Sequence, residues 1–157
     1  HISKEARELL DIALSSCERL IRLVNDILDL RKIEAGKLEL RLRKVNTNEL
    51  IEDVLHGMQP YAHEHNVELL HENQKPIIIE ADRDRLVQVL TNLVGNAIKF
   101  SPSGSLVRVS ADKASEQSVL FNVSDNGPGI APDKQHLLFM KFKQLDASDA
   151  RKQEGTG

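Results

Sequence analysis

The sequence predicts an α+β protein: a long bundle-type helix, followed by a region in which short strands alternate with two amphipathic helices. Three observations carry that expectation. Apolar residues recur with a heptad period between Ser3 and Ile33. Two later stretches place apolar residues at helical spacing behind a capping residue, and several shorter ones alternate apolar with polar residues as half-exposed strands do.

The first helix opens at Ser3, a good N-cap. Leu10, Cys17 and Val24 recur every seven residues, as do Ala13, Leu20 and Ile27, and beside them Leu14, Ile21 and Leu28. A stripe of that width belongs to a helical bundle, and one helix cannot cover it, so another chain or segment must. Gly36 is the expected terminator. Leu38, Leu40 and Leu42 alternate with Glu39, Arg41 and Arg43, which predicts a strand. Asn46 then opens a helix, with Glu49 as its capping-box partner. Leu50, Ile51, Val54, Leu55, Met58, Tyr61 and Ala62 form its buried face, and Pro60 predicts a kink. Val67 to Leu70 and Ile77 to Glu80 read as short strands either side of a polar turn.

Asp82 caps the next helix, whose apolar stripe is Leu86, Val89, Leu90, Leu93, Val94 and Ala97. Pro102-Ser-Gly104 makes a turn, and Leu106 to Ala111 with Ser118 to Ser124 form a hairpin. From Ala131 the periodicity lapses among lysines and acids, which predicts a mobile surface segment.

The chemistry concentrates on the Asp82 helix and on the loop after the hairpin. Asn92, Asn96 and Lys99 stand four and three residues apart, so they line one edge of the helix beside its apolar stripe. That edge is either solvated or a ligand site. Amide oxygens suit a hard cation such as Mg²⁺, which is often shared with phosphates, and Lys99 would then face a phosphate. The hairpin runs into Asp125-Asn-Gly-Pro-Gly129-Ile130. A carboxylate at a strand end can accept a hydrogen bond from an exocyclic amine such as adenine carries. Glycines at alternate positions let backbone approach a flat ring or take positive φ, although Asn-Gly and Pro-Gly are also ordinary turn formers.

Together these stretches are more specific than either alone. Asn92-Leu-Val-Gly-Asn96-Ala-Ile-Lys99-Phe100-Ser-Pro resembles the N box of sensor histidine kinases, and Asp125-Asn-Gly-Pro-Gly129 resembles their G1 box. Phe139-Met-Lys-Phe142 is similar to their F box, and Gly155-Thr156-Gly157 to the start of their G2 box. All four occur in the family's order. Upstream, Leu23 to Gly36 resembles the end of the family's dimerisation hairpin, so the resemblance covers nearly the whole chain.

The resemblance implies a two-layer α/β sandwich of the Bergerat ATP-binding type, shared with gyrase and related ATPases and here without its last helix and strands. It implies residues 1–36 as the second helix of the dimerisation hairpin and 37–157 as the catalytic domain, with an ATP lid at about 131–154. The implied activity is that of an ATP-dependent protein-histidine kinase of a two-component system. It transfers the γ-phosphoryl of ATP to a histidine on a dimerisation helix, for relay to an aspartate on a response regulator receiver domain. ATP and Mg²⁺ are the implied ligands, and a homodimer through the long helix the implied assembly. Asn96 would ligate Mg²⁺, Asn92 would support that site or orient the reacting groups, and Lys99 would neutralise phosphate charge. Phe100 would pack near the adenine and ribose, with Ile130 also at the nucleotide. Asp125 would read the adenine amine, while Gly127 and Gly129 let the loop approach. Phe139 and Phe142 would anchor the lid or simply pack in a core, and Gly155, Thr156 and Gly157 would approach the phosphates. The link from Arg31 to Leu42 is the expected hinge.

Composition limits the alternatives. At 157 residues the chain can bury one modest core plus an appendage. A net charge of −3 argues against nucleic acid as a partner. No apolar run approaches the ~20 residues that span a bilayer, and no secretory signal is visible. The single cysteine, Cys17, excludes an intramolecular disulfide and fits a reducing compartment, and its place in the stripe predicts a small core residue. The expected location is therefore the cytoplasm, with any membrane anchor on another part of the parent.

Among the six histidines, His63 and His65 fall on different faces of a helix and make no metal pair, while His56, His71 and His136 have no partner pattern. His1 opens a helix that matches the second hairpin helix, without the acidic neighbour and downstream proline of the family's acceptor motif. The expectation is a stretch that lacks its phosphoacceptor and the first hairpin helix and cannot autophosphorylate. Two other readings are a helical association module with an inactive nucleotide fold, and a gyrase-like or chaperone-like ATPase. The latter use a glutamate at the first N-box position, where this sequence has Asn92.

Overall fold

The computed structural model of the chain describes residues 3–72 and 75–138. The chain divides into two compact units, His1–Leu40 and Arg41–Gly157.

The first unit is the helix α1, Lys4–Glu34. The Ser3 hydroxyl accepts the Ala6 N–H at 3.2 Å, which satisfies one of the free donors of the first turn. At the other end Gly36 takes a left-handed φ of 63°. Its N–H donates to the Ile33 carbonyl at 3.0 Å and the Lys37 N–H to the Lys32 carbonyl at 2.8 Å, the paired bonds of a Schellman ending. Leu10, Leu14, Leu20, Ile21, Val24, Ile27 and Leu28 are all more than half exposed in this chain. Cys17 is exposed with them, so it is not the core residue expected: nothing within a lone helix can cover the stripe that holds it.

The second unit begins with β1, Arg43–Asn46, followed by α2, Thr47–Glu64, β2, Glu68–His71, and β3, Ile78–Ala81. Then come α3, Arg83–Phe100, β4, Leu106–Ser115, and β5, Ser118–Ser124. A short 3-10 turn, Gln135–Leu137, follows the Asp125 loop. β1 and β3 form an antiparallel pair in which Val45 faces Ile79. The main sheet has the order β2-β4-β5, with β2 parallel and β5 antiparallel to β4. α2 and α3 form the second layer. Leu50 and Ile51 of α2 and Leu90, Val94 and Ile98 of α3 are closed off from solvent together with Val107, Val109 and Ala111 of β4.

Local chemistry explains most element starts. Asn46 caps α2, its Oδ1 accepting the Asn48 N–H at 3.0 Å, while its amide donates to Glu49 Oε1 at 2.9 Å. Glu49 thus braces the capping side chain rather than the backbone N–H of a standard capping box. Thr47, fully buried, clamps Ile77, the residue just before β3, to the start of α2. Its N–H donates to the Ile77 carbonyl at 3.0 Å and its hydroxyl accepts the Ile77 N–H at 3.1 Å.

Several expectations need correction. The Leu38 to Leu42 alternation forms no strand: Leu40 and Leu42 are exposed, and pairing starts only at Arg43, opposite Ala81. Alternation needs a partner strand, and β3 offers one only from that point. Val89 and Leu93 are 52% and 46% exposed, so the buried arc of α3 runs instead through Leu90, Val94, Ala97 and Ile98. The two short strands expected either side of the polar turn are β2 and β3, and they belong to different sheets. β4 runs past Ala111 to Ser115 on exposed residues, where backbone pairing with β5 holds it without a buried face.

Candidate functional site

α3 supplies one half of the site. Its first turn is set by Asp82, whose Oδ1 accepts the Arg85 N–H at 3.2 Å. Its end is set by Pro102, which disfavours helical backbone at the preceding residue, and Ser101 accordingly takes φ −77° and ψ 143°. Between these limits Asn92, Asn96 and Lys99 lie on an exposed edge, with Phe100 exposed beside them. The Lys99 ammonium stands 5.1 Å from the centre of the Phe100 ring, a cation–π contact in the last turn, where a cation also complements the helix dipole.

The loop after β5 supplies the other half. Asp125 follows the last residue of the strand, and its Oδ1 accepts the Gly127 N–H at 2.7 Å, an Asx turn that fixes the carboxylate. Among the described residues nothing else bonds to that carboxylate. Gly129 takes φ +69°, which a side chain resists. Ile130 is 42% exposed, and its carbonyl accepts the Gln135 side-chain amide at 3.2 Å, which ties the loop to the 3-10 turn.

The two halves meet at Gly127. A Cβ placed there would stand 3.0 Å from the Phe100 carbonyl oxygen and 2.7 Å from Asp125 Oδ1. The end of the helix that carries Asn96 therefore packs backbone to backbone against the loop that carries Asp125. The absence of a side chain at Gly127 answers this internal contact, a role that the spacing of the two glycines did not reveal. Phe139, Phe142, Gly155, Thr156 and Gly157 lie outside the described residues.

Sequence reasoning also missed two groups at the ends of α3, one beside this site and one at the far end of the helix. The Ser101 hydroxyl, directly after Phe100, is buried without a hydrogen-bond partner. Asp82 does more than cap, because its Oδ2 accepts the Arg41 N–H at 2.9 Å. Neither has a motif, since both depend on chain segments that only the fold brings together. Among the described residues no three His, Cys, Asp or Glu side chains cluster as a metal site. A cation here would draw on amide and phosphate oxygens, which is what the Asn92 and Asn96 edge could offer Mg²⁺.

Two family models match parts of the chain. The family described as His Kinase A (phospho-acceptor) domain matches residues 2–36, and the one described as Histidine kinase-, DNA gyrase B-, and HSP90-like ATPase matches residues 81–157. The chain belongs to the sensor histidine kinases. It is 38% identical to the circadian input-output histidine kinase CikA of Thermosynechococcus vestitus, over 99% of this chain and 22% of that protein. The chain thus spans about a fifth of the length of that kinase. Among solved structures, full-length ShkA in complex with AMPPNP superposes with a TM-score of 0.78 at 36% identity, over 92% of this chain and 31% of that one. The histidine kinase ThkA in complex with the response regulator protein TrrA gives a TM-score of 0.66 at 26% identity, over 97% of this chain and 45% of that one. These kinases share the two-layer α/β sandwich seen in the second unit.

Proposed function

We propose that this chain is the ATP-binding catalytic region of a protein-histidine kinase. It holds ATP between the exposed edge of α3 and the Asp125 loop and presents the γ-phosphoryl group to a histidine on a dimerisation helix. The observation that carries the reading is the Phe100–Gly127 contact, which joins the amide-and-lysine edge to the purine-reading carboxylate. The AMPPNP complex of ShkA supports it by relationship.

The roles follow from the chemistry of each group. Asp125, oriented by Gly127, accepts the hydrogen bond of the adenine amine. Phe100 and Ile130, both partly exposed beside that loop, supply apolar surface for the purine and ribose. Lys99 neutralises phosphate charge, and Asn92 orients the phosphate end. Mg²⁺, held at Asn96, would supply charge neutralisation across the phosphates. Phosphoryl transfer depends chiefly on positioning and on stabilising charge, which suits a site without a nucleophile of its own. For Phe139, Phe142, Gly155, Thr156 and Gly157, which lie outside the described residues, the lid and phosphate roles rest on the family resemblance alone.

The phosphoryl group then passes to a response regulator aspartate, a reading supported by the ThkA–TrrA complex. The catalytic domain spans 37–157, the helix before it belongs to the dimerisation hairpin, and the protein acts as a homodimer in the cytoplasm. No described helix is long and apolar enough to cross a membrane. Calorimetric titration with AMPPNP and Mg²⁺ tests the reading. Saturable binding that Asp125→Ala abolishes is expected, and equal binding by both proteins would refute the adenine role.

A further inference from the structure

The chain enters its second unit at Arg41, and α3 starts beside that point. Asp82 uses its two carboxylate oxygens on two different backbone donors. Oδ1 takes the Arg85 N–H, which is a helix cap and stays within α3. Oδ2 takes the Arg41 N–H, 41 residues earlier in the sequence, which the helix itself does not require. The rung Arg43–Ala81 of the β1–β3 pair lies immediately beyond, so the entry segment is fastened at successive places to the N-cap of α3 and to the end of β3 just before it. In the same turn Arg83 pairs at the surface with Asp53 of α2.

We propose that Asp82 is a positioning residue: its carboxylate ties the entry segment to the helix that bears Asn92, Asn96 and Lys99, so that displacement of the entry segment is delivered to that helix. The catalytic consequence rests on the kinase reading above, while the tie itself does not. The Arg41 N–H, and after it the Arg85 N–H, hold the Asp82 carboxyl below the ordinary carboxylate range, so both oxygens act as acceptors at neutral pH. The donor is backbone, so the tie ignores the Arg41 side chain and depends on its N–H.

Two substitutions separate the tie from the cap. Asp82→Asn keeps one carbonyl oxygen for the cap but puts an NH₂ where the Arg41 N–H needs an acceptor. Arg41→Pro removes the donor and leaves the carboxylate intact, whereas Arg41→Ala changes only a side chain. In the 157-residue chain, amide exchange at Arg41 followed by NMR is expected to quicken about tenfold or more in Asp82→Asn, with Leu90 to Ile98 at wild-type rates. In the intact parent kinase, Asp82→Asn and Arg41→Pro are each expected to lower kcat for histidine phosphorylation about fivefold or more, with AMPPNP affinity unchanged and Arg41→Ala silent. Unchanged exchange at Arg41 in Asp82→Asn would overturn the tie. Faster exchange with full kcat would overturn the positioning role, as would a loss of kcat matched by loss of AMPPNP affinity. Failure of the kinase reading is told apart from both, because the wild-type chain would then bind no AMPPNP while the exchange result stood.

Discussion

Gly127 and Gly129 sit two residues apart in the same loop, yet they are glycines for different reasons. At Gly127 the neighbouring atoms decide: a methyl group would press on the Phe100 carbonyl and the Asp125 carboxylate at once. At Gly129 nothing lies within reach of a Cβ, and the left-handed backbone decides. Gly127→Ala is therefore expected to move the loop off the end of α3 and to weaken AMPPNP binding about tenfold or more, at an overpacking cost of ~1–3 kcal/mol. Gly129→Ala costs about 1 kcal/mol of backbone strain, and Gly129→Asn less, because Asn tolerates that region. Calorimetry on the three variants checks the order; equal losses at both positions would mean that the loop is simply intolerant. The sequence showed both glycines and the carboxylate, since turn chemistry is local. It did not show Phe100 as the partner of Gly127, because that contact joins residues far apart in the chain.

The helix α3 shows how an element is bounded by its ends and turned by its surroundings. Asp82 and Pro102 made both ends legible, because capping and the pre-proline restriction act over a few residues. Its rotation was not legible: Val89 and Leu93 fit a helical stripe as well as Leu90 and Val94 do, and only the sheet selects between them. Asp82 also gives a pH prediction. Its pKa is depressed in the folded chain, so the stabilisation is complete above about pH 4 and is lost as pH falls through the lowered folded value. The stability gap between wild type and Asp82→Asn, measured by urea unfolding, is expected to be widest at neutral pH and to narrow in acid; a gap independent of pH would contradict it. At the start of α2 the Thr47 clamp offers a second test. Thr47→Val keeps the shape but leaves the Ile77 N–H without its acceptor, an expected loss of ~1–3 kcal/mol with nucleotide affinity retained.

For the molecule as a whole, the apolar face of α1 is the main unfinished surface. Leu10, Leu14, Ile21 and Leu28 stand 52% to 61% exposed, on a helix that a single chain leaves uncovered. On the proposed homodimer through that face, Ile21→Asp together with Leu28→Asp is expected to convert dimer to monomer in sedimentation equilibrium while leaving AMPPNP binding intact, since the second unit has its own core. A wild-type monomer at high concentration would remove α1 as the dimer contact.

The residues alone determined the long amphipathic helix, the capped starts of α2 and α3, and the motifs at Asn92 to Phe100 and Asp125 to Gly129. Each follows from spacing and capping chemistry within a few residues. Strand partnership, the rotation of α3, the Phe100–Gly127 seam and the second bond of Asp82 were decided by the folded chain. They depend on which distant segments share one core, and that choice minimises exposed apolar surface and unpaired backbone over the whole unit rather than over any one stretch.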